Sequence, residues 1–371
     1  MREPSDARRQ RILAVVRSRG SVRVADLAAE LEVSVVTVRR DVEELARAGR
    51  LRRGHGVARS LEAVERPPGP AGPVAPASAA VALVVPERHT YLYETMHGAR
   101  TVLEEAGLRV ALHIAAQAAG AERPLVERAL ADGAGGLLIA PRWSTAAEEE
   151  ADYAWLARLG VPTVVMERRP RRGSALHAMD SVCSDHWYGM HLAVEHLVSL
   201  GHRRIVLAAR DDSPTARTLR SAFAEIARDR EEIEDWTVML SAPGPVGSPD
   251  GGGAAAGPEQ DRRTGSASLA ALLQERRATA AVLHGDVDAL MLVQQLADSG
   301  VRVPQDCSVV AYDDVVAAFG STPLTAVAPP KAEVGRVAAE LLVHRLAGGG
   351  GGVRRVELLP ELKARGSARK P

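Results

Sequence analysis

Between residues 80 and 346, short runs of branched apolar residues alternate with amphipathic stretches, eight of each, and few folds accept that pattern. The runs are AVALVV (80–85), RVALHI (109–114), GGLLIA (135–140), PTVVM (162–166), RIVLAA (204–209), TVML (237–240), AAVLH (280–284) and SVVAY (308–312). The helical stretches are 93–106, 121–132, 146–159, 188–200, 215–228, 266–277, 286–299 and 332–346. Strands that alternate with helices call for a parallel sheet with crossover connections. Their near-continuous apolar character means that helices cover both faces. The fold class expected is α/β.

Three low-complexity segments punctuate this pattern. PPGPAGPVAPASAA (67–80) is a proline-rich, semi-extended spacer, and PGPVGSPDGGGAAAGP (243–258) breaks the alternation in the manner of a surface insertion. The third is the glycine run 348–352. The organisation expected is a small helical head (1–60), a proline-rich linker (61–80), an α/β body (81–362) with a disordered insertion near 243–263, and a tail (363–371).

The chain of 371 residues has 47 basic and 47 acidic side chains, yet residues 1–66 hold 15 basic and 10 acidic ones. A basic head therefore precedes an acidic body, and the head is where an anionic partner belongs. Cys183 and Cys307 lie far apart and outside any CxxC pattern, which fits a reducing compartment and neither zinc nor dithiol chemistry. Arginines interrupt every apolar stretch of MREPSDARRQRILAVVRSRG, so the expectation is a cytoplasmic protein without export signal or membrane anchor. None of the three lysines (Lys331, Lys363, Lys370) follows a phosphate-loop glycine pattern. No cofactor and no metal are expected.

The head reads as three helices. The first runs over 6–17 with Ile12, Leu13 and Val16 on one face, the second over 24–31, and the third begins at Ser34, a favourable N-cap. Val38, Val42 and Leu45 form the packed face of the third helix. Val36, Thr37, Arg40 and Glu43 lie opposite, with Arg39 at the flank. Two arginines near a helix N-terminus offer forked hydrogen bonds to guanine and charge to phosphate. After Gly49, LRRGHG forms a glycine-bounded turn suited to a wing. From Arg9 to Val57, VADLAAELEVS, TVRRDVEEL and GRLRRGHG make the string resemble the winged helix-turn-helix of DeoR-type regulators. The resemblance implies that Ser34, Thr37, Arg39 and Arg40 face the major groove while Arg52, Arg53 and His55 touch the DNA backbone. Asp41, nearer the core face, is expected to orient an arginine.

In the body, ligands of such a sheet gather at the carboxyl ends of the strands. Tyr91 and Tyr93 follow the first strand in a chain with only 11 aromatic residues, and other strand ends carry Arg142, Arg168, Asp185, Asp286 and Asp313. Aromatic faces suit the C–H faces of sugars, and carboxylates and guanidiniums suit their hydroxyls. The motifs VALVVP, GGLLIAP, GVPTVVMER, AVEHLVSLGHRRI and GVRVPQDCSVVAYDD are similar to the effector domain of LacI and GalR-type regulators, a two-subdomain periplasmic-binding-protein-like fold. That resemblance implies that Tyr91, Asp185 and Asp286 line a cleft between subdomains. It departs in places: Leu219 stands where an arginine is usual, leaving Arg217 and Arg220 as substitutes, Gly285 stands for an asparagine, and so does His186. The hinge helix usual in the family is replaced by the proline-rich spacer, so coupling would pass through the spacing of heads in a dimer.

An enzyme is the rival class, but DxGxT, GxSxG and HExxH are all missing, and His186, His191 and His196 do not share a helix face. The expectation is a homodimeric regulator, a repressor, that binds double-stranded operator DNA under control of a small carbohydrate-like effector. A sensor altered toward a non-sugar ligand or none, and a head fused to a sugar-processing enzyme, are the alternatives.

Overall fold

The computed structural model describes residues 5–19, 21–24, 27–28, 33–47, 50–54, 57–59, 80–87, 90–143, 145–210, 214–241 and 268–371. The chain divides into two compact units, 1–72 and 73–371.

In the first unit, α1 (Ser5–Arg19) is followed by β1 (Ser21–Arg23), α2 (Val35–Arg47), β2 (Arg52–Gly54) and β3 (Val57–Arg59). The described residues 24, 27 and 28 of the second predicted helix are helical. The three strands form an antiparallel sheet in the order β1-β3-β2. Ile12, Leu13 and Val16 of α1 meet Val38, Val42 and Leu45 of α2 together with Leu27 and Leu51, all buried. The 3.6-residue periodicity of both helices thus becomes a small core.

The second unit opens with β4 (Ala80–Pro86), α3 (Tyr93–Glu105), β5 (Arg109–Ala115), α4 (Glu122–Ala131) and β6 (Ala134–Ile139). It continues through α5 (Ala146–Tyr153), β7 (Thr163–Met166), β8 (Asp180–Ser184), α6 (His186–Ser199), β9 (Arg204–Ala209), α7 (Pro214–Asp229) and β10 (Asp235–Leu240). The remainder is α8 (Leu269–Arg276), β11 (Ala280–Leu283), α9 (Asp286–Asp298), β12 (Ser308–Tyr312), β13 (Thr325–Ala328), α10 (Lys331–Leu346), β14 (Arg355–Leu358) and β15 (Glu361–Lys363). Two six-stranded sheets result, ordered β14-β8-β7-β6-β4-β5 and β10-β9-β11-β12-β13-β15. All pairings are parallel except β13 with β15. The chain passes between the sheets after β8, returns after β13 through α10, and crosses again between β14 and β15.

α10 belongs to the first sheet, where Val334, Ala338 and Leu342 pack with Val81, Leu83 and Leu103. Its closeness to α3 depends on two glycines: a Cβ at Gly335 would meet the Thr95 carbonyl oxygen at 1.8 Å and one at Gly98 the Ala332 carbonyl oxygen at 2.1 Å.

All eight predicted strands form, and four more join them. β8 reads DSVCS and is buried along its length between β14 and β7, so its polar composition concealed a central strand. The predicted helix 146–159 ends at Tyr153 and tightens into a 3₁₀ turn, Ala154–Arg158. Residues 363–371 are not a detached tail. Lys363 pairs with Ala326 in β15, and the buried Ser367 hydroxyl donates to the Val309 carbonyl at 2.6 Å and accepts from the Thr325 amide at 2.8 Å. The linker at 61–79 and the insertion near 243–263 lie outside the described residues. Among the described residues no helix is long and apolar enough to cross a membrane, and no cluster of His, Cys, Asp and Glu could hold a metal.

Candidate functional site

In the first unit, α2 is fixed on one side and open on the other. The buried Asp41 carboxylate receives Arg8 Nε at 2.6 Å and Arg9 Nε at 3.1 Å, and Arg9 also pairs with Glu44, so α1 and α2 are joined by charge as well as by packing. The orienting role expected of Asp41 is what its geometry shows. At the start of the helix the Ser34 hydroxyl accepts the Thr37 amide at 3.2 Å and lies 2.8 Å from the Thr37 hydroxyl. Ser34 and Thr37 are therefore engaged with each other as a cap. Arg39 and Arg40 are exposed, and neither has a hydrogen bond or ion pair among the described residues. The first turn carries no acidic residue, so no carboxylate of that turn offsets the positive end of the helix dipole. Arg52 and Arg53 belong to β2, opposite Arg59 and Ala58 of β3. His55 lies outside the described residues.

In the second unit a cleft of about 940 Å³ opens at the carboxyl ends of strands from both sheets. Pro86 and Glu87 after β4, Arg142 and Trp143 after β6 and Arg168 after β7 face Arg210 after β9, His284 to Asp288 after β11 and Asp313 after β12. Five of the eight residues expected at a ligand are here: Tyr91, Arg142, Arg168, Asp286 and Asp313.

Each is held by its neighbours. The Tyr91 hydroxyl donates to Glu167 Oε1 at 3.4 Å, its ring lies 5.6 Å beneath Lys331 Nζ, and burial pushes its pKa well up. Burial also raises Glu167 and lowers Arg168, whose guanidinium donates to the Glu167 carbonyl at 2.5 Å while its buried Nε has no partner among the described residues. Arg142 donates to the Ala118 carbonyl at 2.9 Å, and its Nε lies 3.4 Å from the buried Glu122 carboxylate. Asp286 accepts two amides, Val316 at 2.5 Å and Ala317 at 2.9 Å, which fixes the loop beyond β12. The Asp313 carboxyl is raised to about 7, by burial first and Asp286 second. It lies 4.0 Å from His284 Nε2, its Oδ1 has no partner among the described residues, and its own carbonyl accepts Lys331 Nζ at 2.5 Å.

The backbone at the cleft is unusual. Glu167 (φ 54°), Asp313 (φ 97°) and Asp314 (φ 50°) adopt the left-handed region that side-chain-bearing residues seldom occupy, and such conformations gather at ligand sites. Gly285 has φ 77°, a backbone conformation that glycine adopts without steric cost, at the place where the family resemblance leads one to expect asparagine.

Three expected ligand residues are elsewhere. Asp185 caps α6, accepting the Tyr188 amide at 2.9 Å, and does not line the cleft. Arg217 and Arg220 are also outside the lining, the Arg220 guanidinium donating to the Arg210 carbonyl. The helix phase explains this: Leu219 is completely buried among Phe223 and Val282, which puts Arg220 at the flank of the buried face and Arg217 nearly opposite it. The cationic role on that wall falls to Arg210, whose Nη1 pairs with Asp288 at 3.0 Å. Arg210 directly follows the run RIVLAA, so the strand-end rule finds it. Trp143 and Tyr153 were also missed. Their rings meet edge to face at 5.4 Å, and the Tyr153 hydroxyl donates to Glu122 at 3.0 Å. His186, placed by sequence beside Asp185, is buried with Nδ1 3.2 Å from the Tyr312 hydroxyl, and burial lowers its pKa to about 3.

Comparison with known proteins gives each unit its own family model. A DeoR-like helix-turn-helix domain model matches residues 8–64, and a periplasmic binding protein-like domain model matches 194–368. The HTH-type transcriptional repressor PurR of Haemophilus influenzae is 31% identical over 215 residues, and the ribose operon repressor of Escherichia coli is 30% identical over 212. Each alignment covers 56% of this chain and 58% of the relative. A structure of the Lac repressor dimer, bound to operator and the anti-inducer ONPF, superposes with a TM-score of 0.60 at 19% identity, over 79% of this chain and 94% of that one. The chain thus joins a DeoR-like helix-turn-helix domain to a periplasmic-binding-protein-like body with the LacI-type fold.

Proposed function

We propose that the chain is a sequence-specific transcriptional repressor that binds double-stranded operator DNA as a homodimer, its affinity set by a small neutral polyhydroxylated ligand in the body cleft. The observation that carries this reading is the cleft itself, whose walls come from two different sheets. A ligand held by both walls stabilises one arrangement of the sheets over others, and such a differential is what an effector requires. Its volume falls within the range of small-molecule sites.

The lining favours hydroxyls over anions. Among the described residues of the lining, six carboxylates (Glu87, Glu148, Asp152, Asp286, Asp288, Asp313) face three guanidiniums (Arg142, Arg168, Arg210), and Arg210 is already paired. Trp143 and Tyr91 supply apolar faces for a sugar ring. The head would read bases through Arg39 and Arg40, with Ser34 and Thr37 setting the helix start and Arg52, Arg53 and His55 reaching the backbone. This is a binding protein rather than an enzyme, acting in the cytoplasm at the nucleoid. The relatives are repressors, one of them of a ribose operon, which agrees with it.

The test is a thermal-shift panel of neutral sugars, polyols, sugar phosphates and nucleosides on the full chain. A ligand at about 100 times its Kd adds roughly 2.7 kcal/mol and so raises the melting temperature of the body. A neutral sugar giving the largest shift supports the reading; sugar phosphates outranking their parent sugars overturn the assignment of a neutral ligand.

A further inference from the structure

The DNA-reading face of α2 holds a feature that arginine contacts do not use. Val36 is 74% exposed and Val35 41%, while Val38 and Val42 of the same helix are completely buried. Valine is a weak helix former because its branched Cβ loses rotamer freedom against the preceding turn, and exposing its methyl groups to water brings no stability. Two adjacent exposed valines in a first turn are therefore not placed there for folding.

Their surroundings indicate what covers them. Val36, Arg39 and Arg40 fall on one stripe of the helix, at i, i+3 and i+4. Both arginines are exposed without partners among the described residues, and no acidic side chain occupies the first turn. An apolar protein or a bilayer interior would have to desolvate these two guanidiniums. Duplex DNA instead gives them acceptors and offers one apolar group in its major groove, the C5-methyl of thymine. Ser34 and Thr37 are bonded to each other, which leaves the valine methyls as the groups of the first turn not committed to the cap.

From this juxtaposition we infer that Val36 is a specificity-determining residue that contacts the C5-methyl of a thymine in the major groove, beside the base read by Arg40. The two residues are about 6 Å apart along the helix axis, so thymine lies within about two base-pair steps of that base. The inference rests on the DNA-binding function proposed above.

The experiment first enriches operator sequences from a random duplex pool with the full chain, then replaces each thymine of the enriched half-site by deoxyuridine, which lacks only the methyl group. Affinities are measured for the native chain, Val36→Ala and Val36→Ser. At one thymine, uracil weakens the native chain roughly fourfold, the worth of one buried methyl group, and weakens Val36→Ala no further, because the coupled partner is already gone. Pools enriched with Val36→Ala lose the thymine preference at that position and keep the rest. An equal uracil penalty in native and variant chains at every position overturns the inference while leaving DNA reading intact, as does uniform loss of binding to all sequences. No enrichment with the native chain overturns the inference together with the function beneath it.

Discussion

The two candidate sites of this chain treat charge in opposite ways. On α2 the groups that would meet a partner, Arg39 and Arg40, stand in solvent without partners among the described residues, and the structural ion pairs lie behind them, where Arg8 and Arg9 reach Asp41. In the cleft, the groups that would meet a ligand are also the structural ones: Asp286 closes a loop through two amides, Arg210 pairs with Asp288, and Lys331 ties Asp313 to the wall beneath Tyr91. An exposed, unpaired face suits a large anionic partner whose affinity comes from charge and falls with salt. A buried and bonded one suits a small ligand, for which preorganised groups reduce the ordering cost of binding.

That contrast can be broken by mutation. The largest effect is expected at Asp286→Ala, which leaves two amides of the β12 loop without their acceptor: we expect about 2 to 4 kcal/mol of lost stability in the body, read by denaturant unfolding, together with lost effector binding. Stability within about 0.5 kcal/mol of the native chain would remove Asp286 from the framework. Arg40→Ala should do the reverse, leaving unfolding unchanged and costing about 1 to 3 kcal/mol in operator affinity with altered base preference. Unaltered operator affinity in that variant would deny Arg40 a reading role. Arg52→Ala should weaken all duplexes alike and reduce the salt slope by about one; a change of base preference would place Arg52 at base edges instead.

The smallest effect sharpens the comparison through pH. Asp313 is raised to about 7, so the folded chain keeps a proton that the unfolded chain releases above the ordinary carboxyl range. Its contribution to stability falls as pH rises toward 7. His186, lowered to about 3 by burial, acts in the other direction, and its contribution falls as pH drops below the ordinary imidazole range. Asp313→Asn removes only the first slope. The melting temperature of the native chain relative to this variant should therefore decrease from pH 5 to pH 8, by about a few degrees. A difference independent of pH would mean that Asp313 is ionised throughout.

The same contrast decides what could be read from the residues in advance. Head and sheets depend on local periodicity, and Val38, Val42 and Leu45, like VALVV and RIVLAA, announce themselves at 3.6 or in continuous apolar runs. β8 did not, because DSVCS becomes a strand only through the partners on either side of it. The cleft was legible where a residue lies within three positions of a strand end, as Arg142, Arg168 and Asp313 do. It was lost where helix phase decides: one buried Leu219 turns Arg217 and Arg220 away, and the start of α6 at His186 makes Asp185 a cap. Arg210 also directly follows a strand, β9, whereas the Trp143–Tyr153 pair depends on how the end of α5 packs against the segment after β6.

The central claim is that cleft and reading helix belong to one switch, and linkage tests it most directly. Operator affinity of the full chain is measured with and without a saturating cleft ligand from the thermal-shift panel, and ligand affinity with and without operator. The account predicts the same factor in both directions, about 5 to 150-fold; a ligand that fills the cleft and leaves operator affinity unchanged would contradict it.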